Sequence, residues 1–283
     1  MLKQRVITAL VLLLLLLPAL FYPSPWPFCV AALVLICAAA WEWASLNGFQ
    51  GAGALAIGVA CLGLSILAWQ LGFLVQPFPF ASLWVFAGLL WVLCGAWLLK
   101  AGAASWAKLS SVLRMVMGVV LLVLAWVAVC QARVIGINFL LSILALVWVA
   151  DIAAYFSGRK FGGRFSSQKL APTISPGKSW EGVWGGMVGV LALAFFWNWI
   201  DGTLAMNSKS IYGHLLERGV WFLILAVLFL TAMSVVGDLV ESLVKRSAGV
   251  KDSSGLLPGH GGVLDRLDAL LPTLPLAMMI YSI

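Results

Sequence analysis

The 283-residue chain is 63% hydrophobic and only 10% charged, with 17 Lys/Arg against 10 Asp/Glu and a net charge of +7. Soluble domains carry roughly 25% charged residues, so the composition excludes a water-soluble globular protein, and unbroken apolar runs exclude the alternating pattern of a membrane barrel. The expected fold is all-α: a polytopic integral membrane protein with about nine transmembrane helices, each needing roughly 20 mostly apolar residues.

The first expected span, 6–22, follows Lys3 and Arg5 and imitates a signal peptide. The FYPSPWPF stretch behind it offers no convincing small-residue cleavage site, so a retained helix is expected. Prolines and aromatic residues at 22–28 and 77–79 read as interfacial turns. Further spans are expected at 27–46, 53–72, 80–99, 110–131, 134–157, 180–200, 219–240 and 262–282. Cys29, Cys37, Cys61, Cys94 and Cys130 all lie in apolar segments without a CxxC pair, and read as small buried hydrophobes. Gly182, Gly185, Gly186 and Gly189 form interleaved small-xxx-small pairs, which predict close helix packing in the seventh span. Pro272 and Pro275 predict a kinked last helix and a cavity widened below the charged residues.

Charge divides the chain. Glu42 is the only acidic residue in 1–130, whereas Asp151, Asp238, Glu241, Asp265, Arg266 and Asp268 enter or border the later spans. Residues 1–130 therefore read as apolar packing and lipid-facing helices, and 131–283 as the working region of one continuous membrane domain. With nine spans and a cytoplasmic N-terminus, 14 of the 17 Lys/Arg fall on the cytoplasmic side, all but Arg133, Lys209 and Arg218. That is the asymmetry of the positive-inside rule. It places loops 158–179 and 241–261 on one face, the cytoplasmic one, with 201–218 opposite.

Nine of the 27 charged residues lie between Asp238 and Asp268. Charges that reach a bilayer centre cost about 2.5–3.5 kcal/mol each and are seldom kept there without a task. Asp238, Glu241, Ser242 and Lys245 share one face if the eighth helix runs on to about Lys245. Asp265 and Asp268 lie three apart at the start of the ninth. Two helix ends presenting carboxylates make an all-oxygen site suited to Mg²⁺, which takes one or two carboxylates, substrate phosphates and waters. The plainer reading is that Asp265 and Asp268 favour a helix N-terminus and that Glu241 pairs with Lys245. Between them stand Lys245, Arg246 and Lys251, with Gly255, Pro258, Gly259, Gly261 and Gly262, a set that suits phosphate through point charges, a guanidinium fork and a glycine anion nest. His260 is either structural or a donor to a phosphate oxygen. A second polar cluster, SPGKSWEG (Ser175 to Gly182), contains Gly177-Lys178-Ser179 but is no P-loop, because Pro172 stands where the pattern needs glycine and no strand precedes it. It reads as a basic loop leading into an anion-favouring helix N-terminus.

The run SLVKRSAGVKDSSGLLPGHGGVLDRLD (Ser242 to Asp268) resembles the signature of the phosphatidate cytidylyltransferases, or CDP-diacylglycerol synthases. VGDLVES (Val236 to Ser242), DIAAYFSGRKFG (Asp151 to Gly162), SPGKSWEG and the early AWEW around Glu42 also look like family positions. The likeness covers most of 140–283 and thins out before it. Ser179 departs from the threonine expected in many members, with the hydroxyl retained. The resemblance implies condensation of CTP with phosphatidate to CDP-diacylglycerol and pyrophosphate. It implies Mg²⁺ at Asp238 and Asp265, with Asp268 as a further carboxylate, and a second cation, monovalent in one version, at the same site. Lys245, Arg246, Lys251, His260 and Arg266 are then the catalytic candidates. Ser175, Lys178, Ser179, Asp151, Ser242, Asp252, Gly259, Gly261 and Gly262 are candidates for substrate binding. The expected partners are CTP, phosphatidate in the bilayer, membrane lipids and, as an arrangement left open, a second copy in a homodimer; nucleic acid is not among them. A bacterial cytoplasmic membrane is the expected location. A transporter would instead disperse polar groups along several spans, and an alcohol phosphatidyltransferase would carry an Asp-Gly-x2-Ala-Arg pattern that is absent here.

Overall fold

The computed structural model describes residues 2–74, 81–204 and 208–283, so the turn expected at 77–79 lies outside them. The helices in chain order are α1 (Leu2–Phe21), α2 (Trp26–Leu46), α3 (Ala52–Gln70), α4 (Ala81–Ala101), α5 (Ala103–Lys108) and α6 (Ser111–Ile135). They continue with α7 (Ile137–Phe161), α8 (Trp180–Thr203), α9 (Ile211–Glu217), α10 (Val220–Ser247), α11 (Leu264–Leu267) and α12 (Leu270–Ser282). Among the described residues there are no strands, only isolated bridges at Ala171–Ser175 and Leu257–Gly261.

Eight of these helices are long and apolar enough to cross a membrane, and they match the first eight expected spans. The ninth expected span, 262–282, is different. It breaks into the single turn of α11 and the 13 residues of α12. At 1.5 Å per residue α12 alone is about 20 Å long, but together with α11 the segment runs from the end where Asp268 O meets Gly237 to the opposite end, where Arg218 holds the Ile280 and Tyr281 carbonyls. Leu271 to Met278 are all buried, and α12 packs against α4, α6, α7 and α10 as a central post. Hydropathy cannot tell a buried core helix from a lipid-exposed one.

Helix starts and crossings follow from small residues. Ser110, Ser179 and Ser210 each accept a hydrogen bond from the backbone N–H three residues on, capping α6, α8 and α9. The glycine row of α8 lies directly on α7. A Cβ on Gly182 or Gly186 would stand 3.1 Å from the carbonyl oxygen of Ala154 or Ala150, and one on Gly189 would stand 2.6 Å from Ala153 Cβ. The expected close packing is therefore present, and it sets the start of α8 beside the end of α7. Gly237 does the same for α10: a Cβ there would meet the Asp268 carbonyl and stand 2.7 Å from Pro272. That crossing seats Asp238 next to the α11–α12 joint.

One end of the bundle gathers the C-termini of α2, α7 and α10 with the N-termini of α1 and α8. Arg246 Nε donates to Ile174 O at 3.2 Å, tying the two polar loops together. At the other end Asn138 donates to Asp201 Oδ1 and to Ser208 O, Arg133 donates to Leu20 O and Tyr22 O, and Arg218 donates to the last carbonyls of α12. Loops 158–179 and 241–261 thus share one face, and the described residues 201–204 and 208–218 lie opposite.

Two outcomes follow. Gly237→Val is expected to destabilise the detergent-solubilised protein by about 1–3 kcal/mol through overpacking, read as a lowered thermal midpoint; an unchanged midpoint would contradict the crossing. In a cysteine-free background, cysteines at Gln168 and Gly255 should react with an impermeant thiol reagent from one side of the membrane and a cysteine at Gly202 only from the other.

Candidate active site at one end of the bundle

The last three turns of α10 carry the ionic residues. Asp238 Oδ2 lies 2.5 Å from Lys178 Nζ, and its Oδ1 accepts from Ser242 Oγ at 3.2 Å. One turn further, Lys245 Nζ lies 2.5 Å from Glu241 Oε2 and 2.6 Å from Asp265 Oδ1. The i,i+4 pair of Glu241 with Lys245 is the plainer reading of that spacing, and it is present. Asp265 also accepts from Ser253 N (3.0 Å) and Gly262 N (2.7 Å). Burial alone would raise its pKa, but the Lys245 ammonium and these N–H donors bring it down to about 2.

Asp265 and Asp268 were grouped by spacing, and the fold parts them. Asp265 faces Lys245 and the loop backbone. Asp268 faces the other way: burial first, then the charges of Asp238 and Asp151, push its pKa up to about 8. Asp151, Asp238 and Asp268 thus form one mutually repelling group, with the charges of Lys178 and Arg266 acting in the opposite sense on Asp151. Asp265 and Glu241 share the single Lys245 ammonium. Among the described residues no three His, Cys, Asp or Glu side chains converge into a ready-made metal cage.

Beside the first group lies a cavity of about 530 Å³ between α7, α8 and α10. Asp151, Tyr155, Arg159, Lys178, Ser179 and Asp238 supply its polar lining, and Gly182, Val183, Gly186 and Val235 its apolar wall. The cavity is not bounded by α12, so Pro272 and Pro275 do not widen it; Pro272 packs on Gly237 instead. Arg159 donates to Tyr155 OH at 3.1 Å at the rim.

The 248–264 loop closes on itself. Leu257 N donates to Gly261 O and His260 N to Leu257 O, with Gly259 and Gly261 at φ of 77° and 84°, values L side chains rarely adopt. Arg266 donates twice to His260 O (2.6 and 3.2 Å), so its guanidinium shapes this turn. Arg246 is likewise spent on the carbonyls of Ile174 and Val250. The N–H groups of Ser253, Gly262, Val263 and Leu264 all go to carboxylates, those of Asp265 and Glu42, so that part of the glycine stretch is filled by the protein itself. Lys251 and Asp252 are exposed and make no side-chain bond among the described residues. Ser175 is half-buried in the bridged turn that leads to Lys178, and Ser179 caps α8 at the cavity edge. His260 Nδ1 is buried without a hydrogen-bond partner among the described residues.

Three residues outside the expected set reach this loop. Glu42 binds it from α2, while Arg5 Nε and Thr8 Oγ1 of α1 donate to Gly259 O and Pro258 O, each at 2.9 Å. For Glu42 a signal was present: it is the lone acid in 130 residues of apolar sequence.

Comparison with known proteins agrees over the full length. A model described as "Cytidylyltransferase family" matches residues 3–283. A phosphatidate cytidylyltransferase of Haemophilus influenzae is 36% identical, over 99% of this chain and 99% of its own. One of Pseudomonas aeruginosa is 36% identical over 97% of this chain and 95% of its own, and one of Staphylococcus epidermidis 37% identical over 52% and 50%. Its fold, its polar loops and these matches place the chain in the cytidylyltransferase family.

Proposed function

We propose that this multi-pass membrane protein is a phosphatidate cytidylyltransferase, joining CTP to phosphatidate to give CDP-diacylglycerol and pyrophosphate. The observation that carries the reading is the 36% identity to relatives of that name along nearly the whole of both chains. The reaction requires an oxygen of the lipid phosphate to attack the α-phosphorus of CTP in line with departing pyrophosphate, so positioning and charge neutralisation do most of the work. The cavity between α7 and α8 suits the lipid. Its wall of Gly182, Val183, Gly186 and Val235 suits acyl chains, while Lys178 and Arg159 in the same lining suit the lipid phosphate. Lys251, exposed and uncommitted, suits the departing pyrophosphate. Lys245 is engaged twice and serves to hold Asp265 and the loop.

The donor set fits Mg²⁺ in one particular way. With no three-ligand cage among the described residues, a cation would be held by Asp238 and Asp265, with Asp268 as a further carboxylate, and completed by substrate phosphates and water. Asp268, raised toward neutrality by burial and by Asp238, is a carboxylate whose ionised form a cation would favour. When bound, the metal would neutralise phosphate charge. Lys178, now paired with Asp238, is placed to move between that carboxylate and a substrate phosphate. A second cation and a homodimer remain part of the proposal, as does a bacterial cytoplasmic membrane with this face inward, supported by the 14-to-3 split of Lys/Arg.

The direct test supplies CTP, phosphatidate and Mg²⁺ to purified protein and analyses the lipid product. CDP-diacylglycerol should form, and ATP should not replace CTP; turnover of CTP without phosphatidate would defeat the reading. Asp238→Asn should abolish product, and Mg²⁺ should raise the thermal midpoint of the wild type when CTP is present but hardly at all alone. Lys245→Met leaves Glu241 and Asp265 buried without their cation, which should cost about 3–5 kcal/mol of stability, seen in detergent melting; a wild-type midpoint would show that the ion pair is not needed.

A further inference from the structure

Glu42 is the least expected charge in the molecule. It lies on α2 in the apolar half of the chain and has no exposed surface. Its carboxylate accepts four hydrogen bonds, all from residues more than 200 positions away. Oε1 takes Ser254 Oγ at 2.5 Å and Val263 N at 2.9 Å. Oε2 takes Ser253 Oγ at 3.0 Å and Leu264 N at 2.6 Å.

The four donors interleave with those of Asp265. Ser253 gives its N–H to Asp265 and its hydroxyl to Glu42. Gly262 gives its N–H to Asp265, and the next two residues give theirs to Glu42. The two carboxylates therefore hold alternate donors of the same two stretches of loop, and neither can shift without moving the other. Space is equally tight, since a Cβ on Gly262 would stand 2.6 and 2.7 Å from the Glu42 oxygens. The segment pinned this way carries Lys251 and Asp252 on one side and Asp265 and Asp268 on the other.

We infer that Glu42 is a positioning residue for the reaction: its buried carboxylate fixes the 251–268 loop, and so the placement of Asp265, Asp268 and Lys251 relative to Asp238. This rests on the catalytic reading of the site given above. The chemistry requires a carboxylate. It alone offers four acceptor positions and no donor, whereas a glutamine would aim its NH₂ at a hydroxyl and at a backbone N–H that cannot turn away. A buried donor left unsatisfied in this way displaces the backbone that carries it.

The test compares Glu42→Gln, Ser254→Ala and the double variant in detergent with wild-type protein. Misplacement of reacting groups by about 1 Å can cost on the order of 100-fold in rate, so Glu42→Gln should lower kcat by about that factor while KM for CTP and phosphatidate changes little. Ser254→Ala, which removes one of the four donors, should lower kcat by a smaller factor. The double variant should be no worse than Glu42→Gln, because the serine acts through Glu42. A kcat close to wild type in Glu42→Gln, or single effects that multiply, would overturn the inference. Hydrogen exchange gives a readout without turnover. Peptides covering 251–264 should exchange faster in both single variants while those from 223–236 keep their protection; unchanged protection of 251–264 would overturn the inference even if the protein proved to make a different product. If Glu42→Gln does not fold, Ser254→Ala alone decides by the same two measurements.

Discussion

Lys245 stands between two buried carboxylates, one on its own helix and one on α11, and the working end of the molecule depends on that ammonium. Charges beside a bilayer persist only when paired, and here the pairing is also a joint. Glu241 holds Lys245 against α10, Asp265 reaches it from the other side, and the loop between the two helices is drawn in through the N–H groups that Asp265 also binds. That joint ties the polar loop between α10 and α12 to the helix that carries Asp238.

The carboxylates then divide by environment. Asp265 is saturated with donors and strongly acidic; Asp268 is surrounded by burial and by like charge and is held toward its neutral form. Three residues of separation on a short helix are enough to produce opposite electrostatics, because each looks at a different neighbour. The group around Asp238 carries negative charge offset by the Lys178 ion pair, beside the cavity between α7, α8 and α10. Unsaturated carboxylates, a movable lysine and a lipid-facing space meet at that one place.

The apolar half of the chain is more than lipid-facing material. Arg5 and Thr8 hold the turn at Pro258 and Gly259, and Glu42 holds both flanks of the same loop. A division at residue 130 describes composition, while these bonds cross it.

Length and hydropathy by themselves determined an all-α membrane protein and the position of eight spans, because a helix that must satisfy its own backbone in lipid has a fixed minimum length and an apolar surface. The density of charge between Asp238 and Asp268 marked the site for the same reason, and the small-residue row on α8 marked its packing. Tertiary structure alone decided the rest. Hydropathy marked the 262–282 segment as apolar, but that it breaks after α11 and runs through the bundle as a buried post was decided only by the neighbours that surround it. Spacing put Asp265 and Asp268 on one helix face, but which cation or carboxylate each would meet depended on the crossing at Gly237 and on Lys245. Glu42 stood out as a lone acid in the sequence, yet its four donors lie more than 200 residues away, and no local pattern encodes a contact made only when α2 and the last loop fold together.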